Sequence, residues 1–203
     1  MRFSAVVLAA GTSSRMRGVH KLLLPIGGEA AIRRTVRMVL EARPQEVVVV
    51  TGYEGRAVGE ALSSLPARLI TNSRFDEGQM TSVVAGVSSL AKATDAVMIC
   101  LGDMVLLTSA DYCELVDAFA ALTDKSILVP SHQGRRGNPV VFASAYLPAI
   151  LSERCNTGCR KLIEDNPNDV FAFEVTHDRV VTDMDTPEDF ARILDRLELK
   201  SPR

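Results

Sequence analysis

The sequence predicts an α/β fold with a doubly wound, mostly parallel sheet, and two observations support this prediction. Short β-branched runs alternate with segments of helical period, which is typical of parallel sheets covered by helices. Two of the runs, Val47–Val50 and Val97–Leu101, are apolar throughout, as expected of strands that are buried on both faces. Because no stretch of the chain has the composition of a linker, we predict that residues 1–203 form a single domain.

The predicted elements follow one another with the periods of strands and helices. Runs rich in valine, isoleucine and leucine predict strands at Ser4–Leu8, Glu46–Thr51, Ala67–Thr71, Ala96–Leu101 and Ile127–Pro130. Apolar faces predict helices at Ala30–Ala42, Met80–Ala93 and Ser109–Leu122, and a last helix that starts after Thr186. The segment Gly134–Glu174 breaks the alternation, and within it we expect a small antiparallel insertion with a strand at Pro139–Phe142.

Two of the predicted helices carry clear start signals. Thr108 and Asp111 have the spacing of a capping box, in which each side chain bonds the other residue's backbone N–H. Thr186 is a capping residue and Pro187 takes the first helical position, where a missing N–H has no consequence.

Composition and charge argue against several classes of function. The chain has 24% charged residues and a formal net charge of −2, which gives no reason to expect a nucleic-acid partner. No apolar run approaches the roughly 20 residues of a membrane-spanning helix, and the N-terminus lacks the apolar region of a signal peptide. We therefore expect a cytoplasmic protein without a membrane partner.

The cysteines are expected to be free thiols, as is usual in a reducing cytoplasm. Cys155 and Cys159 have the spacing of one helical turn, which suggests a metal or redox pair. However, no second cysteine pair or neighbouring histidine completes a zinc site. We therefore favour free thiols over a metal site.

The connection after the first predicted strand, Leu8–Met16, is the most informative feature. Gly11 and its small neighbours let backbone N–H groups approach phosphate oxygens, and Arg15 and Lys21 supply positive charge. The spacing matches neither the dinucleotide-binding Gly-rich loop nor the P-loop, since Lys21 lies too far along the chain and no glycine comes directly before it. The pattern favours phosphate binding at the carboxyl edge of the sheet, with an ordinary connecting loop as the alternative.

Acidic residues follow a second buried strand and precede the last helix. Asp103 comes directly after the strand that ends at Leu101, and a carboxylate at that edge suits Mg²⁺ bound together with phosphates. A turn or cap aspartate is the alternative for Asp103. Asp183 and Asp185 could add a second ligand, although acids are also common at helix starts.

Two basic segments could recognise an anionic substrate. Gly134–Pro139 contains Arg135 and Arg136 between glycines, and an exposed hairpin turn is the alternative interpretation. Asn156–Lys161 has the pattern of a basic helix N-terminus, a second candidate phosphate site. The histidines and serines show no spacing typical of a nucleophilic triad.

In this order, the motifs resemble the molybdenum-cofactor nucleotidyltransferases, the family that contains molybdopterin cytidylyl- and guanylyltransferases. The matching motifs are Leu8–Met16, Lys21–Pro25, Asn72–Ser82, Gly102–Met104, Arg136–Phe142, Gly158–Arg160 and Asp183–Asp189. Each motif is weak alone, whereas their ordered conjunction is specific. The resemblance implies the Rossmann-like fold of nucleotide-diphospho-sugar transferases.

The resemblance also implies roles for individual residues. Arg15, Lys21 and Asp103 would be catalytic, with Mg²⁺ as the cofactor bound by Asp103 and Asp185. The implied nucleotide site consists of Leu8, Ala9, Ala10, Gly11, Arg15, Lys21, Gly78, Ser82 and Asp103. The implied acceptor site, which would face the anionic pterin phosphate, consists of Arg136, Gly137, Asn138 and Arg160.

The resemblance implies CTP as the nucleotide. The loop of the cytidylyltransferases resembles Leu-Ala-Ala-Gly, whereas that of the guanylyltransferases is typically Leu-Ala-Gly-Gly. Ala10 takes the deciding position, where its methyl would narrow a pocket that must otherwise admit a purine. The implied reaction transfers CMP to the terminal phosphate of molybdopterin, releases pyrophosphate and supplies a molybdoenzyme with its cofactor.

The sequence departs from the family pattern at two positions, and these leave the acceptor open. Val105 stands where proline is usual, and Asn138 stands where the cytidylyl branch often has histidine. A guanylyl- or other nucleotidyltransferase with a different phosphorylated acceptor is the first alternative. A nucleotide-binding chaperone that delivers cofactor without turnover is the second.

Overall fold

A computed structural model describes residues 1–16, 18–152 and 159–198. Within these ranges the strands are β1 (Phe3–Ala9), β2 (Pro25–Ile26), β3 (Glu29–Ala30), β4 (Val47–Thr51), β5 (Arg68–Thr71), β6 (Ala96–Leu101), β7 (Ile127–His132), β8 (Arg135–Arg136), β9 (Val140–Ala143) and β10 (Val170–Glu174). The helices are α1 (Ala31–Glu41), α2 (Gly55–Ala61), α3 (Gln79–Ser88), α4 (Ser109–Ala120), α5 (Leu147–Leu151), α6 (Cys159–Asp165) and α7 (Pro187–Glu198).

The main sheet has the strand order β10-β7-β9-β6-β1-β4-β5, and β8 pairs with β7. The pairs of β1 with β4 and β6, of β4 with β5 and of β7 with β10 are parallel, whereas β9 runs antiparallel to β6 and β7. A separate antiparallel pair joins β2 and β3. The predicted fold class and its antiparallel insertion are therefore confirmed.

The central strands are buried on both faces, as their continuous apolar runs predict. Alternate residues of β4 belong to different clusters, with Val47 and Val49 in one and Val48 and Val50 in the other. Helices α1 and α4 cover the first face, and α3, α5 and α6 cover the second. Each fully buried valine or leucine stabilises such a core by about 1.5–3 kcal/mol.

Most predicted boundaries agree with the structure within two residues, but the predicted helix Met80–Ala93 is too long. Helix α3 ends at Ser88, because the Glu46 carboxylate accepts the backbone N–H groups of Ala91 (3.1 Å) and Lys92 (2.8 Å). These donors therefore bond outside the helix. Helix α2, the β2–β3 pair and the short elements β10 and α5 were not predicted, whereas α6 begins within the predicted helix start Asn156–Lys161.

Adjacent parallel strands bring two of the predicted site loops together. Leu8 of β1 lies opposite Leu101 of β6, and the Leu8 carbonyl accepts the N–H of Gly102 at 2.9 Å. A Cβ at position 102 would lie 2.9 Å from that same carbonyl oxygen, so glycine permits the close approach. Asp103 therefore begins its loop directly beside the connection that follows β1.

No helix within the described ranges is both long and apolar enough to cross a membrane.

Candidate active site

The connection after β1 forms two short 3₁₀ turns, Ser14–Met16 and Lys21–Leu23, that present its cations to the sheet edge. Ser13 adopts a left-handed backbone conformation with φ of 54°. Its hydroxyl accepts the backbone N–H of Lys21 at 3.1 Å, which fixes the start of the second turn. Arg15 and Lys21 thus extend from opposite ends of one loop, and both contact Asp185.

The side chain of Lys21 joins two carboxylates that are distant in sequence. Its Nζ donates to Asp103 Oδ2 at 2.5 Å and to Asp185 Oδ1 at 2.7 Å, and Arg15 pairs with Asp185 as well. Lys21 and Asp103 are largely buried, with side chains 14% and 16% exposed. Burial lowers the pKa of Lys21, but the two carboxylates outweigh it, so this pKa lies above its ordinary value. We call Lys21, Asp103 and Asp185 the acidic cluster.

One oxygen of the acidic cluster has no protein partner. Asp103 Oδ1 is buried and accepts no hydrogen bond from the residues that the structure describes. A buried carboxylate oxygen without a partner is costly, so Asp103 Oδ1 is a candidate position for a cation or for a donor from a ligand. Burial, followed by the charges of Asp185 and Asp103, raises the pKa of the neighbouring Asp183.

Two cavities border the acidic cluster on the side of the β1 loop. The first has a volume of about 220 Å³ and contains six of the predicted nucleotide-site residues: Leu8, Ala10, Gly11, Lys21, Ser82 and Asp103. Phe75 and Gln79 also line it. The second has a volume of about 180 Å³, and its lining includes Gly11, Arg15 and Asp185. The structure therefore brings the predicted phosphate-binding loop and the predicted metal ligands together.

A third cavity, of about 390 Å³, contains the four predicted acceptor residues Arg136, Gly137, Asn138 and Arg160. Arg135 and Arg136 belong to the β7–β8 hairpin, so the hairpin interpretation of this segment is confirmed. Arg160 donates to Glu164 at 2.7 Å, and Arg136 lies 3.9 Å from the same carboxylate. The cavity is therefore lined by two guanidinium groups that share one acid.

Gln79 lines both the first cavity and the third cavity, although the sequence pattern did not single it out. It is the first residue of α3 and follows Gly78, whose φ of 118° is a conformation that L side chains rarely adopt. Gln79 lies within the matching motif Asn72–Ser82, which was the available signal for this position. Its place between two cavities is visible only in the structure.

Ala9 and Gly78 were predicted in the nucleotide site but do not line the described cavities. Ala9 is buried in β1 behind the loop, and Gly78 shapes the start of α3. The predicted basic helix start Asn156–Gly158 and the cysteine pair partner Cys155 lie outside the described residues.

Asp111, Glu114 and His177 form another group whose ligand atoms lie close enough to hold a metal ion. Arg179 occupies this group, with Nε 2.8 Å from Asp111 Oδ2 and Nη2 2.5 Å from Oδ1. A cation there would have to displace the guanidinium from its carboxylate. Both groups contain buried ligand atoms without a hydrogen-bond partner among the described residues: Asp103 Oδ1 in the acidic cluster and the two ring nitrogens of His177 here. Asp103 and Asp185 also line the two cavities beside the β1 loop, which makes the acidic cluster the better candidate metal centre.

Comparisons with known proteins identify the family of the chain. Residues 5–170 match the family described as the MobA-like NTP transferase domain, and the chain belongs to that family. It is 27% identical over 195 residues to the molybdenum cofactor cytidylyltransferase of Escherichia coli strain K12, covering 94% of this chain and 95% of the relative. It is 26% identical over 202 residues to nicotine blue oxidoreductase of Paenarthrobacter nicotinovorans, covering 94% and 96%.

Among solved structures, a nucleotidyl transferase from Methanothermobacter thermautotroptrophicus is similar, with a TM-score of 0.84 and 25% identity. The similarity covers 98% of this chain and 99% of that one. Fold and family together identify a member of the nucleotidyltransferases. The names of the two sequence relatives cover different reactions, so membership alone does not decide the substrate.

Proposed function

We propose that the chain transfers CMP from CTP to the terminal phosphate of molybdopterin and releases pyrophosphate. The observation that carries this proposal is the arrangement of two cavities that share Gln79, with the acidic cluster on the nucleotide side. A group-transfer enzyme must hold donor and acceptor side by side, since positioning supplies much of its rate enhancement. The cation-lined third cavity suits an anionic acceptor.

In this proposal the nucleotide occupies the cavity of Leu8, Ala10 and Ser82, and its phosphates extend toward Arg15 and Lys21. The loop supplies backbone N–H groups and the two side chains supply charge, which is the usual combination for phosphate recognition. Ala9 and Gly78 act indirectly, by fixing the strand end and the helix start.

Asp103 and Asp185 would hold Mg²⁺, and the residues present fit this ion. Asp103 Oδ1 is a buried hard ligand without a partner within the described ranges, and Lys21 joins Asp185 to the other oxygen of Asp103. Mg²⁺ is usually bound through one or two carboxylates together with substrate phosphates. When bound, it would neutralise charge that develops on the phosphates.

The chemical step needs no nucleophilic side chain, because the acceptor phosphate is itself the nucleophile. One of its oxygens forms a bond to the α-phosphorus of CTP while the bond from that phosphorus to the bridging oxygen breaks. Pyrophosphate leaves with the electron pair. Arg136 and Arg160 would orient the acceptor phosphate, and Arg15 and Lys21 would stabilise the triphosphate charge.

CTP is favoured over GTP because Ala10 lines the nucleotide cavity, where its methyl reduces the room for a purine. The cytidylyltransferase of E. coli is among the relatives of the chain, which agrees with this choice. The proposal also includes one domain over residues 1–203, a cytoplasmic location and delivery of the product to a molybdoenzyme.

The test is pyrophosphate release from each common nucleoside triphosphate, with and without molybdopterin, in the presence of Mg²⁺. We expect release only with CTP and molybdopterin together. Release with GTP instead would identify a guanylyltransferase, and release only with another phosphorylated compound would replace the acceptor. Tight nucleotide binding without release in any combination would favour the chaperone alternative.

A further inference from the structure

The segment Asp178–Asp185 connects the acceptor cavity to the acidic cluster. At one end, the Val180 carbonyl accepts the backbone N–H of Asn138 at 2.9 Å, and Asn138 lines the acceptor cavity. A side chain at Gly137 would collide with the same carbonyl, so the two backbones are in close contact. At its other end, the segment supplies Asp185 to the acidic cluster.

A buried ion pair anchors this segment beside Val180. Arg179 donates to both oxygens of Asp111, at 2.8 and 2.5 Å, and Asp111 is 4% exposed. Thr108 fixes Asp111 in turn, because its backbone N–H and hydroxyl both donate to Asp111 Oδ2, at 2.8 and 2.9 Å. The guanidinium is therefore held in a geometry that α4 imposes.

We propose that Arg179 and Asp111 are positioning residues that hold the acceptor side of the site in place through the Val180 carbonyl. The inference rests on the proposed function, since it assigns Gly137 and Asn138 to acceptor binding. The pair acts on the acceptor and not on the nucleotide. Asp185 is held by its own contacts with Lys21 and Arg15, and its backbone N–H donates to Asp189 at 3.2 Å.

A matched control is present in the same segment. Arg196 of α7 donates to both oxygens of Asp178, at 3.0 and 2.6 Å, so this pair is bidentate as well. Its side chains are 40% and 48% exposed, and exposed pairs contribute little to holding a backbone in place. Arg196→Met and Arg179→Met therefore each remove one bidentate ion pair that anchors the segment, at residue 178 and at residue 179. The two pairs differ in burial.

The first measurement uses the free protein and follows hydrogen exchange of the Asn138 amide by NMR. Arg179→Met should speed this exchange by about ten-fold, because the Val180 carbonyl is no longer held against it. The amide of Tyr53, which donates to the Ala10 carbonyl beside the nucleotide cavity, should not change. Arg196→Met should leave both amides as in the unmodified protein.

The second measurement uses turnover and nucleotide binding. Arg179→Met should raise the KM for molybdopterin by about ten-fold, while the Kd for CTP without acceptor stays within about two-fold. A merely structural role would weaken both substrates together. If Arg179→Met does not fold, Asp111→Asn serves, because an amide oxygen can still accept from Thr108 while the charge on Arg179 loses its partner.

Three results would overturn the inference: unchanged Asn138 exchange in Arg179→Met, an equal change in Arg196→Met, or a Kd for CTP that rises as much as the acceptor KM. Hydrogen exchange needs no substrate, so it separates this inference from the proposed function. If Arg179→Met speeds the exchange of the Asn138 amide but the unmodified protein never releases pyrophosphate, the proposed function is wrong. The inference that Arg179 and Asp111 position the loop of Asn138 would still hold.

Discussion

Asp103 and Asp111 both follow strand β6, both lie away from bulk solvent and both pair with a basic side chain, yet their surroundings differ. Both oxygens of Asp111, in the first turn of α4, accept hydrogen bonds. The donors are Thr108, which caps this helix, and Arg179, which lies in the segment before α7. Asp103 uses one oxygen for Lys21, and the other is buried without a partner among the residues that the structure describes. Asp103 also lines a cavity.

This difference separates a carboxylate that stabilises the fold from one that is available for a ligand. A fully bonded buried ion pair gains nothing from a ligand, and breaking it leaves an uncompensated charge. An unpartnered oxygen in a cavity costs stability until a ligand binds, which is a common property of functional sites. Substitution at the two positions should therefore affect different quantities.

The largest effect is expected at Asp103. Asp103→Asn should lower the kcat for pyrophosphate release from CTP and molybdopterin by about 10³-fold, because a proposed metal ligand is lost. Its free energy of unfolding in urea should change little, since Lys21 keeps Asp185. Activity within about ten-fold of the unmodified protein would show that the metal assignment is wrong.

The converse is expected at Asp111. Asp111→Ala should lower the free energy of unfolding by about 3 kcal/mol, because it leaves Arg179 without its partner and removes a helix cap. Urea unfolding followed by circular dichroism measures this change. Asp178→Ala, which breaks the exposed pair with Arg196, should cost less than about 1 kcal/mol. Equal losses in the two variants would show that burial does not distinguish the pairs.

The pH dependence of stability tests the same pair without removing the cap. Burial raises the pKa of Asp111, but Arg179 and Thr108 outweigh it, and the net pKa lies below the ordinary value of 3.8. The unfolded chain then binds the proton more readily, so this stabilisation is present above pH 3.8 and is lost as the pH falls through the folded pKa. The stability advantage over Asp111→Asn should therefore shrink as the pH falls below about 4. An advantage that grows in acid would contradict this assignment.

The smallest effect concerns the base. Ala10→Gly should raise the kcat/KM ratio of GTP to CTP by about ten-fold, which is the usual effect of one methyl group in a pocket. Steady-state assays with each nucleotide, in the same preparation, give the ratio. An unchanged ratio would remove the reason for choosing CTP.

Local patterns predicted the elements that have strong signals of their own. The capping box of Thr108 and Asp111 is present, and the last helix begins at Pro187. The short elements between Gly134 and Glu174 were mostly missed, because a strand of two residues or a helix of five has no measurable period. The end of α3 depends on Glu46, which is distant in sequence and leaves no local signal.

Sequence patterns were enough to predict the fold class and the edge of the sheet where the candidate site lies. Continuous apolar runs specify buried parallel strands, and the carboxyl ends of such strands lie at one edge, so the loop after β1 and the loop of Asp103 were expected at the same edge. Two further facts follow from the tertiary structure: the two loops are neighbours, and Asp111 but not Asp103 has both carboxylate oxygens bonded within the described residues. Lys21 reaches Asp103 and Asp185 across 82 and 164 residues, and Arg179 reaches Asp111 across 68. Hydrogen bonding depends on distances in space, which no local pattern contains, and those distances distinguish the candidate ligand Asp103 from the structural Asp111.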